Sequence, residues 1–448
     1  MITLLLLNTL LILSFSIQAS TPDIVVSLSK SGLNKIKEIE INRINQDLKE
    51  YAFQNYSYSN NALKYTLFNS TYQQALIQSF QVELTLLDNL NVVQIHMNNL
   101  SGIAKINIEY ENDLIKAIST GNVTYQGTTA DIEIKILKDL NGRPTIQATG
   151  NINPNLDQIN INFDENNYLD YLQPLKPSIS SYFISKLSKY VDQTIQNEVE
   201  AINKNLSQLS QNYQIYKSVY EYFSLYEDPS IQNDHINAKI DSYSYYENQS
   251  FINKDIISSN LPLLDPNNTN DAQFFLSDSF FQNILDTSYE AGLLSKNYII
   301  YYLGRTFNLS CFATRSPNFT IMDQLNLNGS GQCNITHTSP LKTFYFPIAF
   351  DFYYELNMTI DNSTIHFRVN EATSGLSNIR LILSVPIELV WFNNTFNSLF
   401  AVFTTTLNNF LGANGIPLSR LLEMPFSNIN LSFRKDYISI YFDIILAQ

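Results

Sequence analysis

Strict alternation governs what this chain can become. Ala130-Asp131-Ile132-Glu133-Ile134-Lys135-Ile136 puts an apolar residue at every second position. Gly102-Ile103-Ala104-Lys105-Ile106-Asn107-Ile108-Glu109-Tyr110 and Asp157-Gln158-Ile159-Asn160-Ile161-Asn162-Phe163 do the same. A period of two sends alternate side chains to one face, so the stretch from about Leu63 to Phe163 reads as half-buried antiparallel strands, with a turn at Asp139-Leu140-Asn141-Gly142. An apolar sheet face must be covered by a second layer. Two helical stretches bracket the strands. Ser31 to Phe53 spaces Leu33, Ile36, Ile44, Leu48 and Phe53 at helical steps. After Pro177, Ile179, Phe183, Leu187, Val191, Ile195, Val199, Ile202 and Leu206 form one long stripe.

The plan then recurs. A Tyr/Ser/Asp-rich stretch from Tyr216 to Asn248 reads as irregular. It is followed by a helix from about Ser277 to Leu293, with Phe281, Ile284, Leu285 and Tyr289 on one side. A β-rich stretch runs from Tyr298 to about Pro386. A helix carrying Phe392, Phe396, Leu399, Phe400, Phe403, Leu407 and Phe410 comes next. A terminal hairpin turns near Lys435-Asp436. Helix, strands, helix, twice over, implies two similar halves, repeated in pattern and not in letters.

Met1 to Gln18 is apolar and is followed by Ala19, Ser20 and Thr21, the pattern of a secretory signal peptide cleaved after Ala19 or Ser20. No later apolar run reaches the length of a membrane span. In the oxidising compartment this implies, the only two cysteines, Cys311 and Cys333, point to a disulfide, with two unpaired buried thiols as the alternative. Secretion together with fifteen Asn-X-Ser/Thr sequons, among them Asn55, Asn99, Asn122, Asn308, Asn328, Asn334 and Asn393, points to glycosylation. With 27 Lys+Arg against 41 Asp+Glu the net charge is −14, and no basic cluster interrupts it. Nucleic acid and anionic membrane surfaces are therefore disfavoured partners.

Several short motifs resemble the bactericidal/permeability-increasing and lipopolysaccharide-binding protein family. Pro22-Asp23-Ile24-Val25-Val26 with Lys30-Ser31-Gly32-Leu33 is similar to the family's start, and Gly142-Arg143-Pro144-Thr145 to one of its turns. Leu276-Ser277-Asp278-Ser279-Phe280-Phe281 with Tyr289-Glu290-Ala291-Gly292-Leu293 resembles the opening of its second half. Gly415-Ile416-Pro417-Leu418 fits ahead of the last hairpin. The resemblance covers essentially the whole mature chain. It implies an α+β fold of two elongated, pseudo-repeated barrels, each a twisted antiparallel sheet wrapped on a long helix, joined by a central antiparallel sheet. The expected segments are a signal peptide over 1–20, an N-terminal lipid-binding barrel over 21–215, a central-sheet or linker segment over 216–255 and a C-terminal lipid-binding barrel over 256–448.

Two departures qualify the resemblance. The family's first-barrel disulfide has no counterpart, since Thr145 to Gly150 and Lys189 to Thr194 contain no Cys. The cationic tip of its endotoxin-binding members is matched by Glu111-Asn112-Asp113-Leu114-Ile115-Lys116-Ala117-Ile118-Ser119-Thr120-Gly121, one Lys among acids. The latter argues against capture of phosphorylated lipid heads.

A catalytic reading finds no constellation. Gly329-Ser330-Gly331 lacks the spacing of a nucleophile elbow, and His96, His235, His337 and His366 are scattered, with His96 reading as an ordinary strand residue. The expectation is a secreted, non-enzymatic, monomeric lipid-binding or lipid-transfer protein. It holds phospholipid or a similar amphipath in one apolar pocket per half, touches membranes or lipid particles transiently, and uses no cofactor beyond the bound lipid. Recognition of microbial lipid and a matrix-glycoprotein role are the alternatives. Pocket candidates are Leu33, Ile36, Leu172, Ile179 and Phe183 in the first half, and Phe281, Leu285, Tyr289, Phe396, Phe400 and Phe403 in the second.

Overall fold

The computed structural model describes residues 22–35, 55–59, 64–76, 79–87, 90–111, 116–153, 159–164, 173–208, 211–216, 218–247, 261–302, 304–338, 343–361, 364–370, 373–381, 404, 408, 416–417 and 426–445. These form three antiparallel sheets, a long helix (Lys176–Gln208) and a short one (Asp278–Glu290), with residues 30–35 also helical.

Each outer sheet is built on one long two-stranded ribbon. In the N-terminal sheet Leu90–Glu111 pairs with Lys116–Lys138. The first strand of the ribbon carries Lys64–Leu76 at its far end and Ser79–Leu87 at its near end; the second carries Ile159–Phe163 and Pro144–Asn153 at the same two levels. The C-terminal sheet repeats this plan. Leu325–Thr338 pairs with Thr343–Asp361, flanked by Arg305–Ala313 and Asn318–Ile321 on one side and by Gly375–Leu381 and Thr364–Val369 on the other. Tyr56–Ser59 and Ser295–Tyr302 add the corresponding outermost strands. The repeat expected from the pattern is thus a repeat of topology.

The central sheet joins the halves. Its order is Phe426–Arg434, Tyr437–Ile444, Ala272–Ser277, Ile24–Ser29, His235–Tyr246, Val219–Leu225, Asn212–Tyr216. Ile24–Ser29 and Ala272–Ser277 pair with each other, with Val26 opposite Phe274, and each is followed outward by its own half's closing hairpin. The arrangement is symmetric about that pair. Each strand ends in a serine that caps the next helix: Ser29 Oγ accepts from Gly32 N–H at 3.0 Å and Ser277 Oγ from Phe280 N–H at 3.2 Å. Each is preceded by a buried aspartate that reaches the other half. Asp23 accepts from Ser279 Oγ at 2.5 Å, and Asp271 pairs with Lys35 Nζ at 2.5 Å.

The region that reads as irregular, Tyr216 to Asn248, is instead largely strand, as Val219–Leu225, Ser230–Gln232 and His235–Tyr246. Much of this sheet is buried on both faces. Ile24, Val26 and Leu28 enter a large core, while Val25, Phe275 and Tyr441 pack beneath Leu261 and Leu263. A strand buried on both sides carries no period-two signature.

The predicted turn forms at Asp139-Leu140-Asn141-Gly142. Gly142 takes φ +72° and donates to Asp139 O at 2.9 Å, and Arg143 N–H donates to Asp139 Oδ1 at 2.6 Å. Cys311 and Cys333 lie opposite each other on neighbouring strands, buried and joined by a disulfide with S–S 2.06 Å. Among the described residues no helix is long and apolar enough to cross a membrane.

Candidate functional site

A bulge divides the interior of the first half. Near Asn99 (φ +54°) and Gly127 (φ +64°) the ribbon shifts register, and Gly127 N–H donates to Asn99 Oδ1 at 3.2 Å. On the near side Val93, Ile95, Met97, Ile132, Ile134 and Ile136 join the core of the central sheet, against Ile195, Ile202 and Leu206 of the long helix. Beyond the bulge lies a separate apolar cluster. There Ile179, Tyr182 and Phe183 of the same helix, with Leu175 of the 3-10 turn that leads into it, face Tyr65, Leu67, Ile106, Ile108, Val123 and Ile161 of the sheet.

The outer end of this far cluster is ringed by tyrosines. Tyr56 stacks on Tyr182 with centroids 4.0 Å apart, Tyr58 on Tyr65 at 5.5 Å, and Lys186 Nζ stands 5.6 Å from the Tyr182 ring. Tyr58 is exposed, Tyr56 half-buried and Tyr65 buried. Burial, and next the nearby Tyr56, push the Tyr65 hydroxyl up to about 12, so it is a neutral group at physiological pH. Tyr182 is buried like Tyr65, so Tyr56 and Tyr58 are the rings wet at one edge and apolar at the other, which suits an amphipath's head-to-tail boundary.

The second half centres on Phe281, whose ring lies 4.9 Å from Phe319, 5.0 Å from Phe280 and 5.5 Å from Phe367. Gln282 holds the short helix to the strand beside it, donating to Pro317 O at 2.8 Å and accepting from Phe319 N–H at 2.7 Å. Leu285, Leu325, Leu327, Tyr354, Leu356 and Met358 extend the cluster. Burial raises the Tyr354 hydroxyl above its ordinary range. A far cluster of Phe307, Leu309, Ile335, Ile348, Phe350 and the disulfide sits beyond, matching the far cluster of the first half.

The structure therefore sorts the candidates. Ile179 and Phe183 come together in the far cluster of the first half. Leu33, Phe281 and Leu285 share the large core instead, so residues of both halves meet there. Tyr289 is half-buried, its hydroxyl donating to Thr314 O at 3.1 Å at the helix rim. Ile36, Leu172, Phe396, Phe400, Phe403 and Asn393 lie outside the described residues. The reading by helical stripes passes over the strand contribution, above all Tyr65, Tyr56 and Phe319. The inward set of Lys64–Leu76 includes Tyr65 and Leu67, which alternation alone identifies.

Two lysines at the far end of the N-terminal sheet are engaged by acids. Lys116 pairs with Glu109 at 2.6 Å and Lys64 approaches Glu111 at 4.0 Å, both exposed. Hydrogen bonding and charge from Glu109 raise the Lys116 pKa. On the outer sheet face His96 Nδ1 lies 2.6 Å from Asp131 Oδ1. Among the described residues no group of three or more His, Cys, Asp or Glu is arranged to hold a metal ion.

Compared with solved structures, the chain superposes on the crystal structure of lipopolysaccharide binding protein over 95% of its own length and 100% of that chain, with a TM-score of 0.57 and 15% identity. In fold, it is similar to lipopolysaccharide binding protein. The likeness spans both halves and the central sheet between them, and at this identity it is a likeness of fold alone. P47 from Clostridium botulinum A2 aligns over 94% of this chain and 97% of its own, at 13% identity and a TM-score of 0.35. Takeout 1 of Epiphyas postvittana covers 36% of this chain and 79% of its own, at 10% identity and a TM-score of 0.24. Neither of these looser matches adds to the lipopolysaccharide binding protein comparison. No family model and no curated protein sequence matches the chain.

Proposed function

We propose that this is a secreted, non-enzymatic lipid carrier of two elongated barrels, each holding phospholipid or a similar amphipath in an apolar pocket, and that it works as a monomer without a cofactor. One observation carries the reading: the far part of the long helix lays Ile179 and Phe183 on a sheet face of aliphatic residues and tyrosines, ringed at its outer end by Tyr56, Tyr58 and Tyr182. The fold shared with lipopolysaccharide binding protein supports it.

Such a site needs no reactive group. Burying each CH₂ is worth about 0.8 kcal/mol, so two long acyl chains gain roughly 20 kcal/mol over water. A bilayer offers nearly the same, so exchange between pocket and membrane is close to balanced while escape into water is slow. Loading and unloading then occur on contact with a membrane or lipid particle. The acid-paired lysines at the far end disfavour capture of endotoxin by charge. Native mass spectrometry of the chain from its own secretory pathway tests the reading. A carrier flies with bound lipid, about one molecule per half; a chain that is lipid-free in every preparation overturns it.

A further inference from the structure

The outer face of the C-terminal sheet exposes three large apolar side chains on either side of a polar pair. Ile299 is 60% exposed, Tyr301 77% and Tyr345 47%. Directly opposed residues of antiparallel strands share a face, and Ile299 lies opposite Asn308, Asn308 opposite Thr336, and Thr336 opposite Tyr345. These four side chains therefore form one transverse row, with Tyr301 one step toward the sheet tip beside Ile299. The intervening positions Leu309 and Ile335 turn inward and are buried. The next row, Asn297, Ser310, Asn334 and Pro347, holds no large exposed hydrophobic group. Clustered exposed apolar groups call for a covering partner.

The centre of the row is a glycosylation sequon, Asn308-Leu309-Ser310, and it interlocks with a second, Asn334-Ile335-Thr336, because Asn308 faces Thr336 and Ser310 faces Asn334. We propose that the core sugars of an N-linked glycan on Asn308 are the cover, lying over Ile299 and Tyr301 on one side and toward Tyr345 on the other. Neighbouring strands are about 4.8 Å apart, which puts Ile299 one spacing and Tyr345 about 10 Å from the Asn308 backbone. Pyranose rings present a face of C–H groups that packs on aromatic and aliphatic side chains while their hydroxyls stay in water. In the attachment step the Nδ2–C1 bond forms as the C1–O bond to a lipid-linked pyrophosphate donor breaks. Nδ2 releases one proton and the lipid pyrophosphate leaves.

The inference rests on the secretory part of the reading above, and the test separates the two. Asn122 is the control, a sequon on the other outer sheet whose cross-strand neighbours are Lys105 and Asn162 and which does not adjoin Tyr301 or Tyr345. The full chain is secreted from a eukaryotic host as wild type, Asn308→Gln, Ser310→Ala and Asn122→Gln. Glycopeptides are mapped, and Tyr301 and Tyr345 are footprinted with hydroxyl radicals. The expected result is an occupied Asn308, with labelling of both tyrosines rising several-fold in Asn308→Gln and Ser310→Ala and unchanged in Asn122→Gln. If Asn122 is modified and Asn308 bare, or if labelling is equal in all four proteins, the inference fails while secretion stands. Tyrosine protection that survives in the variants and grows with protein concentration assigns the row to a second copy of the chain, and also overturns it. A chain that the host does not release removes the secretory reading and this one together, whereas a released chain with no sequon used removes this one alone.

Discussion

Asn203 closes both open backbone groups of Ile146: its Oδ1 accepts from the Ile146 N–H at 2.8 Å and its Nδ2 donates to the Ile146 carbonyl at 2.9 Å. Ile146 belongs to Pro144–Asn153, the last strand in the path of the N-terminal sheet, so these groups have no neighbouring strand to meet. Gln196, two turns earlier on the helix, donates likewise to Ala148 O at 3.2 Å. In the second half the helical residue Asn408 accepts from Val369 N–H at 2.7 Å, on the strand that corresponds to Pro144–Asn153. Both halves thus fix a helix to a sheet edge with an asparagine amide.

Asn203→Leu keeps a side chain of similar length but leaves an N–H and a C=O unpaired in a half-buried position. The expected loss is about 1–3 kcal/mol in urea unfolding. Asn203→Ser, which keeps a hydroxyl near the edge, loses less. Equal losses in the two variants would mean that the amide acts only by filling space.

Asp278 begins the short helix. Burial, and after it the neighbouring Asp436, hold its carboxyl above the usual carboxylate range, against the helix N–H groups that favour ionisation. An acid whose folded pKa is raised contributes stability that is complete below the unfolded pKa and is lost as pH rises through the folded one. Asp278→Asn should therefore melt progressively higher relative to wild type as pH goes from acid to neutral. A melting difference that does not change with pH sinks the assignment.

Cys311 and Cys333 are separated by 22 residues. Closing a loop of that size lowers the entropy of the unfolded chain by an amount worth about 3 kcal/mol. The expected observation is that intact-mass alkylation without reductant labels no thiol, and that a Cys311→Ala/Cys333→Ala variant loses stability on this scale. Two labelled thiols in the native chain would falsify the link.

The outer sheets were legible because each is solvated on one face: Ala130 to Ile136 alternates in sequence and its side chains alternate in burial. The central sheet was hidden for the opposite reason. Ile24–Ser29 is buried at every position, and His235–Tyr246 buries serine, asparagine and aspartate beside its aliphatic residues. The repeat was legible as an order of elements. Its exact correspondences, Asp23 with Asp271 and Ser29 with Ser277, rest on short polar side chains whose partners come from the other half or the next helix turn. The helix stripe was legible at Ile179, Phe183, Ile195, Ile202 and Leu206, but its division into two clusters was not, because the bulge at Asn99 and Gly127 that divides it lies on the sheet.

That division makes Phe183 and Phe281 unequal. Phe281 is enclosed by three other phenylalanine rings in the shared core, and Phe281→Ala there should cost about 3–5 kcal/mol, as for a dry interior. Phe183 meets Tyr182 edge-on at 5.7 Å, in the cluster that the tyrosines ring. If this cluster is a pocket wall, bound lipid shifts into the space that Phe183→Ala opens, so stability falls less while the bound lipid changes in chain length or amount. Melting and lipid extraction on both variants separate the cases. Should Phe183→Ala lose as much stability as Phe281→Ala with an unaltered lipid load, the far cluster is a filled core and the pocket of the first half lies elsewhere. A small loss with an altered load places the acyl chains against Ile179 and Phe183, under the tyrosine ring.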